Sequence, residues 1–318
     1  MKIVVLDGYT LNPGDLSWDG LRILGDMTVY DRTPREQIIE RSREADIILT
    51  NKTVLDAEVL KSLSHLKYIG VLATGYNAVD TDAASQMGII VTNIPSYGTY
   101  SVAQLTFALI LELCHHVQRQ SDLVVNGKWS RSMDFTFSDY PLIELASKTL
   151  GIIGFGNIGK KVSEIASAFG MKILAYDKIY PGQMGFENVT IVSLQDLLSD
   201  SDIVTLHCPL TDETAGLINI DTLRKMKRTA FLINTSRGQI IVEKDLAEAL
   251  DAGIIAGAGL DVLSVEPPPF DNPLLKARNC IITPHIAWAT HESRSRLMNI
   301  AVDNIKAFLA GSPVNIVN

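Results

Sequence analysis

Cysteine is scarce in this 318-residue sequence, and the little there is does not pair. Cys114, Cys208 and Cys280 are odd in number and show no CxxC spacing, which argues against a disulfide framework and against a zinc site. They read as buried thiols, and no metal is expected. Long apolar runs are missing too. Phe107 to Leu111 is closed by Glu112, far short of the roughly 18 residues of a membrane helix, and Ile3 to Leu6 before Asp7 is too short for a signal-peptide core. The expected location is therefore the cytoplasm. Positive charge is in deficit, with 28 Lys and Arg against 36 Asp and Glu, a net charge of -8 and a pI near 5.3. That sign disfavours nucleic acid and anionic membranes as partners.

What is present is core-forming material: 47% of the residues are hydrophobic and only 20% charged, which excludes a disordered chain. The length suits two domains. Short apolar runs rich in branched residues recur at Ile3 to Leu6, Ile47 to Thr50, Tyr68 to Leu72 and Ile89 to Val91, with segments of helical periodicity between them. The pattern restarts at Leu150 to Ile153 and continues through Lys172 to Tyr176, Ile203 to His207, Ala230 to Asn234, Ala256 to Asp261 and Cys280 to Thr283. Alternation of this kind predicts an α/β fold, with two doubly wound parallel sheets covered by helices on both faces.

The two sets resemble one another. Asp46-Ile47-Ile48 is similar to Asp202-Ile203-Val204, and Lys67 to Thr74 to Arg228 to Thr235, which fits either internal duplication or shared strand-turn-helix grammar. A helix is expected from Ser101 to about Gln120, an irregular polar and aromatic stretch from Gly127 to Pro141, and a C-terminal helix from about His291 to Leu309. The domain expectation is 1–98 plus 289–318 for one domain and 99–288 for a second, inserted one.

Gly154-Phe155-Gly156-Asn157-Ile158-Gly159 places a GxGxxG directly after an apolar strand and at the start of a helix. Gly154 permits the tight turn, Gly156 lets backbone approach a pyrophosphate, and Gly159 lets helix pack on strand, while the helix N-terminus offers oriented N–H groups. Asp177 ends the next strand 18 residues after Gly159, close to the ~20 expected for the carboxylate that holds the adenosine ribose hydroxyls. A carboxylate there repels a 2'-phosphate, so NAD is expected over NADP, although neighbouring Lys178 could attract that phosphate.

Three later segments carry reactive side chains at strand ends: Asn234-Thr235-Ser236-Arg237-Gly238, Asp261-Val262 followed by Glu266-Pro267, and Pro284-His285. A guanidinium suits bidentate binding of a carboxylate, an imidazole suits proton transfer, and a carboxylate can orient and charge that imidazole. Taken singly, Arg237, Glu266 and His285 also read as a solvated turn, the polar start of a proline-rich loop and a packed histidine. His65, His115, His116 and His291 lie on apparent helices away from strand ends, and His207 suits the cofactor groove better.

These motifs, together with His207-Cys208-Pro209-Leu210-Thr211, appear in the order found in the D-specific 2-hydroxyacid dehydrogenases, and the chain resembles that family over nearly its whole length. The resemblance implies a flavodoxin-like substrate domain interrupted by a Rossmann-like NAD-binding domain. It implies Arg237 as the residue that binds the substrate carboxylate and polarises its carbonyl, His285 as the proton carrier and Glu266 as its partner. Ala73, Thr74 and Gly75 would offer backbone N–H groups to the substrate, and Asp261 would hold the nicotinamide carboxamide. Cofactor contacts are expected from Gly154, Gly156, Asn157, Ile158, Gly159, Asp177, His207, Cys208, Pro209, Thr214, Thr235, Ser236, Arg237 and Asp261.

Within the family, Gly70 to Asn77 and His285 to Thr290 look most like glycerate dehydrogenases, also called hydroxypyruvate reductases. Lys52 is the one cation near Gly75 in the pattern, which favours a small unphosphorylated 2-keto acid such as hydroxypyruvate or glyoxylate over D-3-phosphoglycerate; D-lactate is a further alternative. Trp288 suits a pocket wall or a core position. A non-catalytic NAD-binding sensor of the corepressor type is the rival class, disfavoured because all three reactive residues are kept; a formate dehydrogenase would carry glutamine in place of Glu266. A homodimer is expected from the resemblance and from the stretch Tyr100 to Pro141, with Trp129, Phe135, Phe137 and Tyr140, which is longer than a linker requires.

Overall fold

A computed structural model describes residues 1–178 and 188–318. The chain divides into two compact units, Met1–Gly98 with Trp288–Asn318 and Thr99–Ala287. Trp288 belongs to the first unit, where its ring meets Tyr97 edge-on at 6.4 Å.

In the first unit five parallel strands, β1 (Lys2–Val5), β2 (Asp26–Val29), β3 (Ile47–Thr50), β4 (Tyr68–Val71) and β5 (Ile90–Thr92), lie in the order β2-β1-β3-β4-β5. This is the flavodoxin-like arrangement. Successive side chains of a strand point to opposite faces, so β1 and β3 feed two cores at once. Val4, Leu6 and Ile48 enter a cluster with Val59, Leu60 and Ala84, while Ile3, Val5, Ile47 and Leu49 enter another with Leu297, Ala301 and Ile305 of the helix His291–Leu309. That helix is fixed at its start. Thr290 Oγ1 accepts the Ser293 N–H at 3.2 Å, and Arg294 donates to both Asp15 oxygens at 2.8 and 2.6 Å and to the Leu11 carbonyl at 3.0 Å.

The second unit holds seven parallel strands: β6 (Thr149–Ile153), β7 (Lys172–Tyr176), β8 (Val189–Ile191), β9 (Ile203–Leu206), β10 (Phe231–Asn234), β11 (Gly257–Leu260) and β12 (Cys280–Ile282). Their order is β12-β11-β10-β9-β6-β7-β8. The chain therefore reverses its direction of winding between β6 and β9, the switch point where open sheets of this kind bind ligands. One face packs Val204, Leu206, Leu232 and Leu260 against Leu246 and Leu250; the other packs Leu150, Ile152, Ile203 and Ile233 against Phe107, Ile110 and Leu113 of the helix Thr99–His115. The fold is α/β, with two doubly wound parallel sheets.

The internal likeness seen in the sequence has a structural counterpart. In the first unit Asp46 accepts the Lys2 N–H at 2.9 Å and pairs with Lys67 at 2.9 Å, joining the starts of β1, β3 and β4. In the second, Asp202 accepts the Thr149 N–H at 2.9 Å and pairs with Lys227 at 2.9 Å, joining the starts of β6, β9 and β10. Burial pushes the Asp202 carboxyl up, but the Thr149 N–H and the Lys227 ammonium together hold it below its ordinary value.

Two features differ from expectation. β2 and β8 are edge strands of partly exposed residues, so neither carries the continuous apolar run that marks the central strands. The helix expected through Gln120 ends at His115, because His116 turns left-handed with φ 50° and a second helix, Val117–Val125, starts after it.

Candidate active site

Three of the motif residues of the second unit sit just past the carboxyl ends of strands. Arg237 follows β10, Asp261 follows β11 and His285 follows β12, and these three strands are neighbours. Adjacent parallel strands thus bring together residues that are 24 to 48 positions apart in sequence.

Each is held by its own set of bonds. Wholly buried Asn234 donates to the Arg237 carbonyl at 2.9 Å and accepts the Ser236 N–H at 3.0 Å, closing the Thr235–Arg237 turn from inside. Buried Thr235 meets Thr106 at 3.2 Å between hydroxyls, and Arg237 Nη1 donates to the Ser236 carbonyl at 2.7 Å. Gly238 is packed on the Leu263–Ser264 backbone so closely that a Cβ has no room, which ties the turn carrying Arg237 to the loop carrying Glu266.

His285 has φ 54°, a backbone conformation that few side chains tolerate without support. Support comes from Asp261, only 1% exposed. Its carbonyl accepts the His285 N–H at 2.8 Å; its Oδ1 accepts Thr283 Oγ1 at 2.5 Å and the Ile286 N–H at 2.9 Å; its Oδ2 accepts the Ala287 N–H at 2.8 Å. Burial pushes the Asp261 carboxyl up from its ordinary value, opposed by those donors and by the nearby His285 ring. Glu266 completes the pair: its Oε1 accepts the Leu263 N–H at 3.0 Å and its Oε2 lies 2.6 Å from His285 Nδ1. Both side chains are partly open, at 26% for His285 and 35% for Glu266.

Other histidines are placed elsewhere. His65 lies in a turn after the helix Ala57–Lys61 and not on it, His116 between two helices, His115 at a helix end and His291 at a helix start. His207 follows β9; both its ring nitrogens are buried without a hydrogen-bond partner among the described residues, and burial pushes its pKa down to about 3. In the first unit, Ala73, Thr74 and Gly75 follow β4, with Thr74 Oγ1 donating to the Ile94 carbonyl at 2.9 Å and the Ile94 N–H donating to the Ala73 carbonyl at 3.0 Å. Asp7 at the end of β1 gathers the N–H groups of Asn51, Lys52 and Thr53 at 2.8, 2.6 and 2.8 Å, shaping the loop after β3.

Comparison with known proteins gives the family. The family model described as D-isomer specific 2-hydroxyacid dehydrogenase, NAD binding domain, matches residues 107–287. A hydroxypyruvate reductase of Blautia hydrogenotrophica is 55% identical over 321 residues, covering 100% of both chains. The chain belongs to the D-isomer specific 2-hydroxyacid dehydrogenases. Among solved structures, an acyclic imino acid reductase in complex with NADPH and D-Arg superposes with a TM-score of 0.88 at 32% identity, covering 100% of each chain. D-lactate dehydrogenase of Aquifex aeolicus, complexed with NAD and lactic acid, does so with a TM-score of 0.84 at 32% identity, covering 98% of this chain and 96% of that one.

As a member of this family the chain is an NAD-dependent dehydrogenase, and its glycine turn fits a dinucleotide. Gly154 has φ 93°, and a Cβ there would lie 2.6 Å from the His207 carbonyl carbon; Gly159 has Ile152 3.1 Å from where its Cβ would stand. Gly156, by contrast, has nothing within 4 Å. It precedes the helix Asn157–Ala168 without a side-chain cap, and the open space beside its Cα leaves room for a pyrophosphate at the helix start. Asp177 Oδ2 accepts the Phe155 N–H at 2.7 Å and so fixes the turn as well as ending β7. Thr214 Oγ1 donates to the Pro209 carbonyl at 2.7 Å, folding the loop after Cys208 on itself, and burial pushes the Cys208 thiol up to about 11.

Lys178 forms an ion pair with Glu213 at 2.5 Å, so its charge is already matched by a carboxylate. If Asp177 sets cofactor choice, Asp177→Ala weakens NADH binding and raises the NADPH to NADH ratio of kcat/KM. Initial rates with both cofactors, beside a fluorescence titration of NADH binding, check it, and an unchanged ratio rules the role out.

Proposed function

We propose that this dehydrogenase reduces a small unphosphorylated 2-keto acid, hydroxypyruvate or glyoxylate, to the D-2-hydroxy acid, with His285 as acid and base. The observation that carries the reading is the 2.6 Å contact between His285 Nδ1 and a Glu266 carboxylate that is itself fixed by the Leu263 N–H. Glu266 on Nδ1 stabilises the imidazolium and sets the ring orientation, which leaves Nε2 as the atom that exchanges a proton with substrate. Bound NADH supplies a hydride to the keto carbon, so negative charge builds on the carbonyl oxygen. His285 delivers a proton to that oxygen, and Arg237 binds the substrate carboxylate and draws charge from the carbonyl. In the reverse direction neutral His285 accepts the proton.

The unit Met1–Gly98 with Trp288–Asn318 serves the substrate in this reading, through the backbone N–H groups of Ala73, Thr74 and Gly75, and the unit Thr99–Ala287 serves the cofactor. The contact of Asp261 with the nicotinamide carboxamide belongs to the same proposal. Residues 6–18, 51–56, 72–80 and 93–98, which follow β1, β3, β4 and β5, contain a single Lys or Arg, Lys52, which suits a substrate without a phosphate. The 55% identity to a hydroxypyruvate reductase supports the same substrate class.

Initial rates of NADH oxidation with hydroxypyruvate, glyoxylate, pyruvate and phosphohydroxypyruvate test the substrate: the first two are expected to give the highest kcat/KM. His285→Ala is expected to lose about 10² to 10⁴ in rate, roughly 3 to 5 kcal/mol, while NADH still binds. Retained turnover in that variant, or a preference for phosphohydroxypyruvate, overturns the assignment.

The same proposal makes the protein a cytoplasmic homodimer. Among the described residues no helix is long and apolar enough to cross a membrane. Trp129, Met133 and Phe135 stand exposed at 51%, 101% and 87%, an apolar surface that a second copy would cover. Cys114, Cys208 and Cys280 are free thiols, the state a reducing compartment maintains. Sedimentation at micromolar concentration is expected to show twice the 34.8 kDa chain mass; a monomer alone contradicts the dimer.

A further inference from the structure

Glu243 opens the helix Glu243–Asp251 and is not among the residues assigned to catalysis. Its carboxylate nevertheless grips the loop that carries one of them. Oε1 accepts the Ser264 N–H at 2.6 Å, and Oε2 accepts Asn272 Nδ2 at 2.8 Å. Those two residues bracket the segment 265–271, which contains Glu266 and the three prolines Pro267, Pro268 and Pro269. Asn272 is a firm anchor, being only 6% exposed and accepting the Leu274 N–H at 3.0 Å.

Ser264 is held from its other side as well, because Gln239 Nε2 donates to its carbonyl at 2.8 Å. Directly before it, Leu263 presses on Gly238 and donates its N–H to Glu266 Oε1. The chain of contacts therefore runs from Glu243 to the Ser264 amide, through one peptide unit to the Leu263 amide, and from there to Glu266 and His285. Pro267, Pro268 and Pro269 have no N–H to donate, so three of the seven residues between the anchors offer only a carbonyl, and the Pro269 carbonyl accepts the Asn272 N–H at 3.1 Å. A bond to a charged acceptor is also stronger than a neutral one, which suits a carboxylate to this task.

We propose that Glu243 is a positioning residue for the His285–Glu266 pair, holding both ends of the loop so that Glu266 Oε2 stays in line with His285 Nδ1. The proposal rests on the acid–base reading above. Loss of the clamp acts through Glu266, and the signature is a change in proton transfer with little change in cofactor binding.

The test measures kcat, KM and the pH profile of keto-acid reduction, with NADH affinity by fluorescence, in Glu243→Ala, Glu243→Gln, Gln239→Ala, Glu266→Gln and the double variant Glu243→Ala/Glu266→Gln. Glu243→Ala is expected to lower kcat about 10-fold, within the ~100-fold that a 1 Å misplacement can cost, and to move the alkaline fall of reduction to lower pH. Glu243→Gln keeps one acceptor oxygen and recovers part of the loss. Gln239→Ala loosens the same peptide without touching the helix, so it shifts the profile the same way even if Glu243→Ala folds poorly. In the Glu266→Gln background Glu243→Ala is expected to add less than about 2-fold, the limit within which independent effects are read. Losses in kcat that multiply in the double variant, a pH profile that stays in place in both Glu243→Ala and Gln239→Ala, or a loss confined to NADH affinity would each overturn the proposal. His285→Ala separates the two levels: if it leaves reduction intact, the acid–base reading fails; if it abolishes reduction while the Glu243 variants are neutral, only the clamp fails.

Discussion

A left-handed histidine at the end of β12 is the feature on which the site depends. Holding a non-glycine residue at φ 54° costs on the order of 1 to 3 kcal/mol, so the turn persists only where its surroundings demand it. Asp261 makes that demand. One buried carboxylate takes Thr283 Oγ1 and the Ile286 and Ala287 N–H groups, and the Asp261 carbonyl takes the His285 N–H. Hydrogen bonds to a charged group contribute about 1.5 to 3 kcal/mol each, so three of them outweigh the strain and also offset much of the cost of burying the charge. With the backbone set in this way, the imidazole comes to lie against Glu266.

The sheet explains why such residues meet at all. β10, β11 and β12 are adjacent and parallel, so their carboxyl ends share one edge, and the residues that follow each strand are neighbours whatever lies between them in sequence. The glycine turn after β6 and Asp177 after β7 occupy the same edge across the switch point. Precision then comes from polar groups placed where the strands end, of which Asn234, Asp261 and Glu243 are the three with the most to hold. Each binds neutral groups rather than another full charge: Asn234 the Arg237 carbonyl and the Ser236 N–H, Asp261 the Thr283 hydroxyl and two backbone N–H groups, and Glu243 the Ser264 N–H and the Asn272 amide.

The central strands were legible because parallel strands covered on both faces are continuous apolar runs, as in Ile47–Thr50 and Ile203–Leu206. The edge strands β2 and β8 were not, since they are half exposed and look like loops. Neither was the break at His116, where no glycine or proline marks the left-handed turn. Residues of the site were legible as types at strand ends, but their supports were not. Glu243 and Ser264 are 21 positions apart, Glu243 and Asn272 29, and Asp261 and Ala287 26, distances over which no local pattern survives. Asp202 shows the intermediate case: its likeness to Asp46 was visible as sequence, while the shared task of capping the first strand of each sheet appears only in the strand register.

The claim at the centre of this account is that Glu266 works by charging His285, and the pH profile of keto-acid reduction by Glu266→Gln tests it most directly. The amide keeps the size and hydrogen-bonding capacity of the carboxylate but not its charge, so the imidazolium is less favoured and the proton needed for reduction is lost at lower pH. The account predicts that the alkaline fall in kcat moves toward acid, with activity at acid pH better preserved than at neutral pH. A profile that stays in place, whatever its height, would contradict it and leave Glu266 as the polar start of a proline-rich loop.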